Sequence, residues 1–207
     1  MIANAEYATN NKQDIIEEYF SFIDAREFPC IAAKAALSRN QAKCMVAGNM
    51  ACPKDDVEIL QFLYAFVDDA RSSQQFYSSA AIIFSGPQIN SEEMFDALLW
   101  QRLQALEMLD AKNYIYDRRV DDDPSSAKFS FSIKEEAFYI IGLHPCSSRP
   151  ARQFAFPALV FNPHVQFEQL RKTAKYDTMK SVVRKRDIAL SGSINPMLED
   201  FGKNSEV

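Results

Sequence analysis

Two histidines, one tryptophan and five glycines in 207 residues are a short inventory of the residue types that usually mark a site. No apolar run approaches the roughly 20 residues needed to span a bilayer, so no membrane association is expected. The polar opening, MIANAEYATNNKQ, lacks the charged and apolar regions of a secretory leader. Cys30, Cys44, Cys52 and Cys146 are scattered without CxxC spacing. In a chain of this size that pattern is expected of reduced cytoplasmic thiols and not of a disulfide scaffold or a zinc site. Gly-rich dinucleotide fingerprints are missing, so electrons for any redox reaction are expected from a separate reductase. Positive charge is in deficit, with a net charge of −5, which argues against a general pull toward nucleic acid. Internal repeats and low-complexity tracts are also missing.

What the chain has is apolar and aromatic material. Its 47% hydrophobic content with 16 Phe and 8 Tyr is enough for one core, and the aromatics also suit a flat ligand. Residues 1–12 are expected to be disordered, 13–202 to form a single domain, and 203–207 to be a tail. Ile15, Ile16, Tyr19, Phe20 and Ile23 share a helical face. Ile31 to Leu37 reads as strand or helix, since alanine favours helix while the strand-like run after it suggests a hairpin. Strand-like runs follow at 42–50 and 79–84, with a helix from about Asp55 to Phe76 between them. Asn90 is expected to cap a helix running to Asp110, with Glu93 as its capping-box partner. Phe129 and Phe131 alternate with Ser130 and Ser132, and Lys134 to Glu136 turns this strand back into Phe138 to Leu143. Two helices are expected over 165–175 and 176–190. Strands and helices do not alternate strictly, so the expected class is α+β, a mainly antiparallel sheet flanked by helices.

The stretch 138–170 concentrates the candidates. The strands ending at Leu143 and Phe161 stop at His144-Pro145 and Asn162-Pro163-His164, because proline cannot continue a ladder. Each strand therefore delivers a histidine to its carboxyl end, and strand polarity decides whether the two meet. A lone histidine is more often structural than a ligand, but neutral imidazole is the usual nitrogen donor to iron, zinc and haem. Two histidines without a carboxylate cluster do not make a closed zinc site, whereas a haem needs only one protein ligand. Arg149 and Arg152, in the loop between, are either a solvated turn or a fork for carboxylates such as haem propionates. Cys30 follows Pro29 at a possible helix start, where exposed N–H groups would lower the thiol pKa and favour a thiolate ligand or nucleophile. A small buried hydrophobe is its other reading. Ala32, Ala33, Ala35 and Ala36 would let a flat macrocycle approach. The basic residues from Arg171 to Arg186 lack the interleaved aromatics of a single-strand nucleic-acid platform and read as a solvated helical face or an anion site.

FPCIAAKAAL (28–37), FSGP with SEEMFDALLWQRLQAL (84–106), FSFSIKEEAFYIIGLHPCSSRPARQFAFPALVFNPHVQFEQLR (129–171) and RDIALSGSINPMLEDFG (186–202) together resemble the YqcI/YcgG family. Its characterised members are haem-dependent guanidine N-hydroxylases. The resemblance implies heme b, dioxygen and a small guanidine-containing substrate such as arginine. On that reading His144 is the axial iron ligand, with Cys30 as the alternative. Arg149, Arg152 and Cys30 contact the cofactor, and His164 is a distal-pocket residue. A carboxylate must neutralise the guanidinium. Among Glu92, Glu93, Glu135, Glu136 and Glu168 the choice is Glu168, one helical turn after His164. Cys146 departs from the pattern, standing where a small residue such as glycine is expected. Rival readings are a haem-binding sensor or carrier without turnover, and a metal-free thiol hydrolase using Cys30 and His144.

Overall fold

The computed structural model describes residues 11–73, 77–171 and 175–193. The disorder expected over 1–12 and the tail at 203–207 therefore fall almost wholly outside the described residues. Asn11 and Lys12 are the exception. The Asn11 side chain accepts the N–H of Gln13 and opens helix α1 (Lys12–Asp24), which buries Ile15, Tyr19 and Ile23 at four-residue spacing. The ambiguous run after Pro29 is helix α2 (Ile31–Ser38). Its alanines decide the matter, since a strand would leave their small faces without packing area while a helix costs them nothing.

Strand β1 (Ala42–Asn49), helix α3 (Asp56–Ser73) and strand β2 (Ser79–Gly86) form a crossover unit, and β1 pairs with β2 in parallel. Helix α4 (Glu92–Asp110) is capped by Ser91 and not by Asn90, because the Ser91 hydroxyl accepts the N–H of Met94. Strands β3 (Phe131–Ile133) and β4 (Glu136–Leu143) form a hairpin. Its turn is two residues, Lys134 and Glu135, both at positive φ, which matches the twist of the paired strands. Strand β5 (Ala158–Pro163) runs directly into α5 (His164–Arg171), and α6 (Lys175–Ser191) follows.

The sheet order is β1-β2-β5-β4-β3, antiparallel everywhere except β1–β2, so the α+β expectation holds. Alternate residues of each strand serve opposite faces. Ile82, Phe84, Phe138, Ile140, Leu159 and Phe161 pack with α3 and α4 in one core. Ala81, Ile83, Leu143, Ala158 and Val160 pack with α1 in the other. Arg102, 1% exposed, crosses beneath α4 to donate to the Met50 carbonyl and to pair with Asp56. It ties α4 to the start of α3 and the end of β1.

Two features of this topology position the site. β4 and β5 are antiparallel, so His144 and His164 leave the sheet at opposite ends. β3 pairs with β4 only as far as Phe138, so from Tyr139 to Leu143 no strand covers the outer edge of β4 among the described residues.

Candidate functional site

A cavity of about 500 Å³ lies against that open edge. Tyr139, Ile140, Ile141 and Gly142, four consecutive residues, all line it. Asn162 of β5 and Ser79 of β2 line it too, so the wall runs from the open edge of β4 across the neighbouring strands. Ala32, Ala33 and Ala36 of α2 supply a wall of small side chains, Phe95 and Leu99 of α4 an apolar one, and Lys180, Val183 and Arg184 of α6 a third. The volume falls in the range of roughly 300–1,000 Å³ usual for ligand and cofactor sites.

His144 sits where β4 ends. It is 5% exposed, and its N–H donates to the Arg152 carbonyl at 3.0 Å. Its ring stacks on Phe95 with centroids 4.2 Å apart. That stack depends on Gly142, because a Cβ there would lie 2.4 Å from a Phe95 ring carbon. Nδ1 of His144 is buried without a hydrogen-bond partner. Burial pulls the imidazole pKa below its ordinary value and Arg152 adds to this, against an opposing pull from Glu92. The ring is therefore neutral at neutral pH, the form that ligates metals.

The arginine pair is divided between two tasks. Arg152 lines the cavity, and no ion pair to its guanidinium exists among the described residues. Burial and the neighbouring Arg149 push its pKa down. Arg149 does not line the cavity. It pairs with buried Asp187 at 2.7 Å and donates to the Ser193 carbonyl at 3.1 Å, fastening α6 to the loop that carries Arg152.

Cys30 also lines the cavity and does stand at a helix start, as the N-cap of α2. Its Sγ accepts the Ala33 N–H at 3.4 Å. The expected low pKa is nevertheless reversed. Burial pushes the thiol up, and the Ala33 and Ala32 N–H groups only partly oppose it. At neutral pH Cys30 is a thiol, which removes the activated nucleophile that a metal-free hydrolase would need.

His164 and Glu168 are not brought to the cavity. His164, 4% exposed, bonds through Nε2 to the Ser130 hydroxyl at 2.8 Å and stacks on Tyr139 with centroids 4.0 Å apart. Tyr139, on which it stacks, does line the cavity. Glu168 is half-buried and lies 3.8 Å from Arg119. Glu136 is buried beside Arg119 and Arg71, a tie between the hairpin and its neighbours. The carboxylates at the cavity are Glu92 and Asp96, one turn apart at the start of α4. Glu92 accepts the Ser148 N–H at 2.8 Å, which holds its carboxyl below the usual range. Asp96 is a residue that sequence reasoning missed, although its four-residue spacing from Glu92 was there to be seen. Cys146, exposed after Pro145, donates its thiol to the Ile89 carbonyl at 3.1 Å and so tethers the loop to the entry of α4.

Among the described residues no three His, Cys, Asp or Glu side chains are grouped to hold a bare metal ion. No helix among them is long and apolar enough to cross a membrane. The site is thus a partly apolar cavity with one neutral buried histidine, one thiol, a guanidinium without an ion pair among the described residues and a carboxylate pair at its edge.

The chain belongs to the YqcI/YcgG family, whose model matches residues 19–207. It is 26% identical over 188 residues to the uncharacterized protein YqcI of Bacillus subtilis (strain 168), an alignment covering 87% of this chain and 73% of that protein. No solved structure matches.

Proposed function

We propose that this member of the YqcI/YcgG family is a haem-dependent, dioxygen-using N-hydroxylase acting on the guanidine group of arginine or a related small molecule. One observation carries the reading: a single cavity is lined both by a neutral, buried His144 and by an Arg152 guanidinium that has no ion pair among the described residues. A propionate-bearing macrocycle answers both needs, and the small side chains of Ala32, Ala33 and Ala36 leave room for its plane. The residues present therefore fit the group.

In this proposal His144 holds the iron and Arg152 receives a carboxylate in a charge-assisted pair. His144 is favoured over Cys30 because burial keeps the imidazole neutral, whereas the same burial keeps the thiol protonated until it gives up its proton. Glu92 and Asp96 attract the guanidinium of the substrate at the cavity edge, taking the role that the sequence alone gave to Glu168. Phe95, stacked on His144, fixes the ring orientation and excludes water from its face.

The haem supplies dioxygen activation. One oxygen atom enters the substrate N–H bond and the other leaves as water, which consumes two electrons and two protons. A separate reductase delivers the electrons.

The test is titration of the purified chain with hemin, followed by dioxygen consumption with reductant and arginine. Saturation near one haem per chain with a shifted Soret band, and guanidine-dependent dioxygen use, are expected. Haem binding without guanidine-dependent turnover would favour a sensor or carrier. Failure to bind hemin would reject both readings.

A further inference from the structure

The described part of α6 carries a charge pattern at odds with the rest of the chain. Between 180 and 193 it holds Lys180, Arg184, Lys185 and Arg186 against one acid, Asp187, in a protein of net charge −5. That acid faces inward, 4% exposed, and is neutralised by Arg149. The charged side chains that α6 exposes to solvent from 180 onward are thus both cationic, Lys185 and Arg186. Ser181, Lys185, Ile188 and Ala189 are exposed and fall at i, i+4, i+7 and i+8, which is one stripe, with exposed Arg186 on its flank. Ile188 is 44% exposed, one of four large apolar side chains left open on the described surface. A small apolar centre with a charged rim is the usual anatomy of a transient protein interface.

The opposite side of the same helix lines the cavity through Lys180, Val183 and Arg184. A body resting on the outer stripe would thus be separated from the cavity by about one helix diameter, roughly 10–12 Å. We infer that the outer face of α6 is the docking surface for a small acidic one-electron carrier protein. This rests on the haem reading, in which electrons come from outside the chain. Opposite charge steers such an encounter and keeps it salt-sensitive, as a carrier that must arrive and leave twice per turnover requires.

The test uses the hemin-loaded chain and an acidic [2Fe–2S] ferredoxin as probe, with basic cytochrome c as the charge-opposite control. Binding is followed by amide shift changes on the labelled chain, and haem reduction by stopped flow. Wild type is expected to bind ferredoxin through amides of 181–189, more weakly as salt rises, and not to bind cytochrome c. The double variant Lys185→Glu with Arg186→Glu should weaken ferredoxin binding about tenfold or more and slow its reduction of the haem. Reduction by dithionite and the Soret band should stay unchanged, which shows that the haem pocket is intact. Equal ferredoxin binding by wild type and variant, or shifts mapping elsewhere, would overturn the inference. So would a wild-type chain that does not bind ferredoxin, or that binds cytochrome c as well. A chain that takes up no hemin would instead refute the haem reading, and this inference with it.

Discussion

Replacing Arg152 by leucine should move stability and ligand affinity in opposite directions. In the ligand-free chain the guanidinium is partly buried, has no ion pair among the described residues, and is held to a lowered pKa chiefly by burial. Leucine removes that desolvation cost and adds apolar surface, so the urea midpoint of the apo protein should rise with its slope unchanged. On the haem proposal the cavity loses its partner for a propionate at the same time. A hydrogen bond to a charged group at such a site is worth roughly 1.5–3 kcal/mol, or about one to two decades of hemin affinity. Arg149 provides the contrast. Its partner Asp187 is 4% exposed, so Arg149→Leu strands a buried carboxylate and should cost roughly 3 kcal/mol of stability. Hemin affinity should change there only as far as α6 loosens. Urea melts of both apo variants and hemin titrations of both provide the comparison. If Arg152→Leu lowers apo stability and leaves hemin affinity unchanged, Arg152 is a structural residue and the argument from its missing ion pair fails.

Gly142→Ala should unseat Phe95 from His144, because its Cβ would sit 2.4 Å from one ring carbon and 3.3 Å from a Leu99 methyl. A loss of about 1–3 kcal/mol in a urea melt, with weakened hemin retention, is expected; an unchanged melt would mean that α4 yields freely. The His144 pKa is held below its ordinary 6.5, which sets the direction of a pH effect. Above that value the imidazole is neutral in both folded and unfolded chains. As pH falls below it the unfolded chain takes up a proton that the folded chain resists, so stability falls until the native pKa is reached. Subtracting the pH profile of His144→Gln from that of wild type should isolate this slope, and a flat difference would contradict it. Arg102→Met should cost about 3–5 kcal/mol by leaving Asp56 buried and unpaired, with little effect on hemin uptake once folded.

The elements were legible where one local preference acted alone. The alternation of Phe129 and Phe131 against serines marked the hairpin, and the apolar run at 138–143 marked β4, although the strand starts at Glu136 because the turn needs only Lys134 and Glu135. The run at 31–37 was ambiguous because the strand-like run after it suggested a hairpin, and the helix preference of its alanines prevailed. The cap fell at Ser91 and not at its polar neighbour Asn90, a one-residue choice set by backbone geometry. At the site, His144, Arg152 and Cys30 were named from sequence and do share a cavity. Strand direction was not legible, so the separation of His164 from His144 could not be foreseen. The division of Arg149 from Arg152 was hidden for another reason. Asp187 lies 38 residues away and only the docking of α6 brings it to Arg149. The Cys30 pKa was misjudged because a helix start argues for a low value while burial, which sequence does not show, outweighs it.

The ferrous carbonyl spectrum of the hemin-loaded chain tests the central claim most directly, namely that this cavity holds haem with His144 on the iron. The account predicts a Soret maximum near that of histidine-ligated globins, haem-poor protein from His144→Ala, and protein that stays red from Cys30→Ala. A strongly red-shifted thiolate-type band, lost in Cys30→Ala and kept in His144→Ala, would contradict the ligand assignment, and no Soret band at all would contradict the haem site itself.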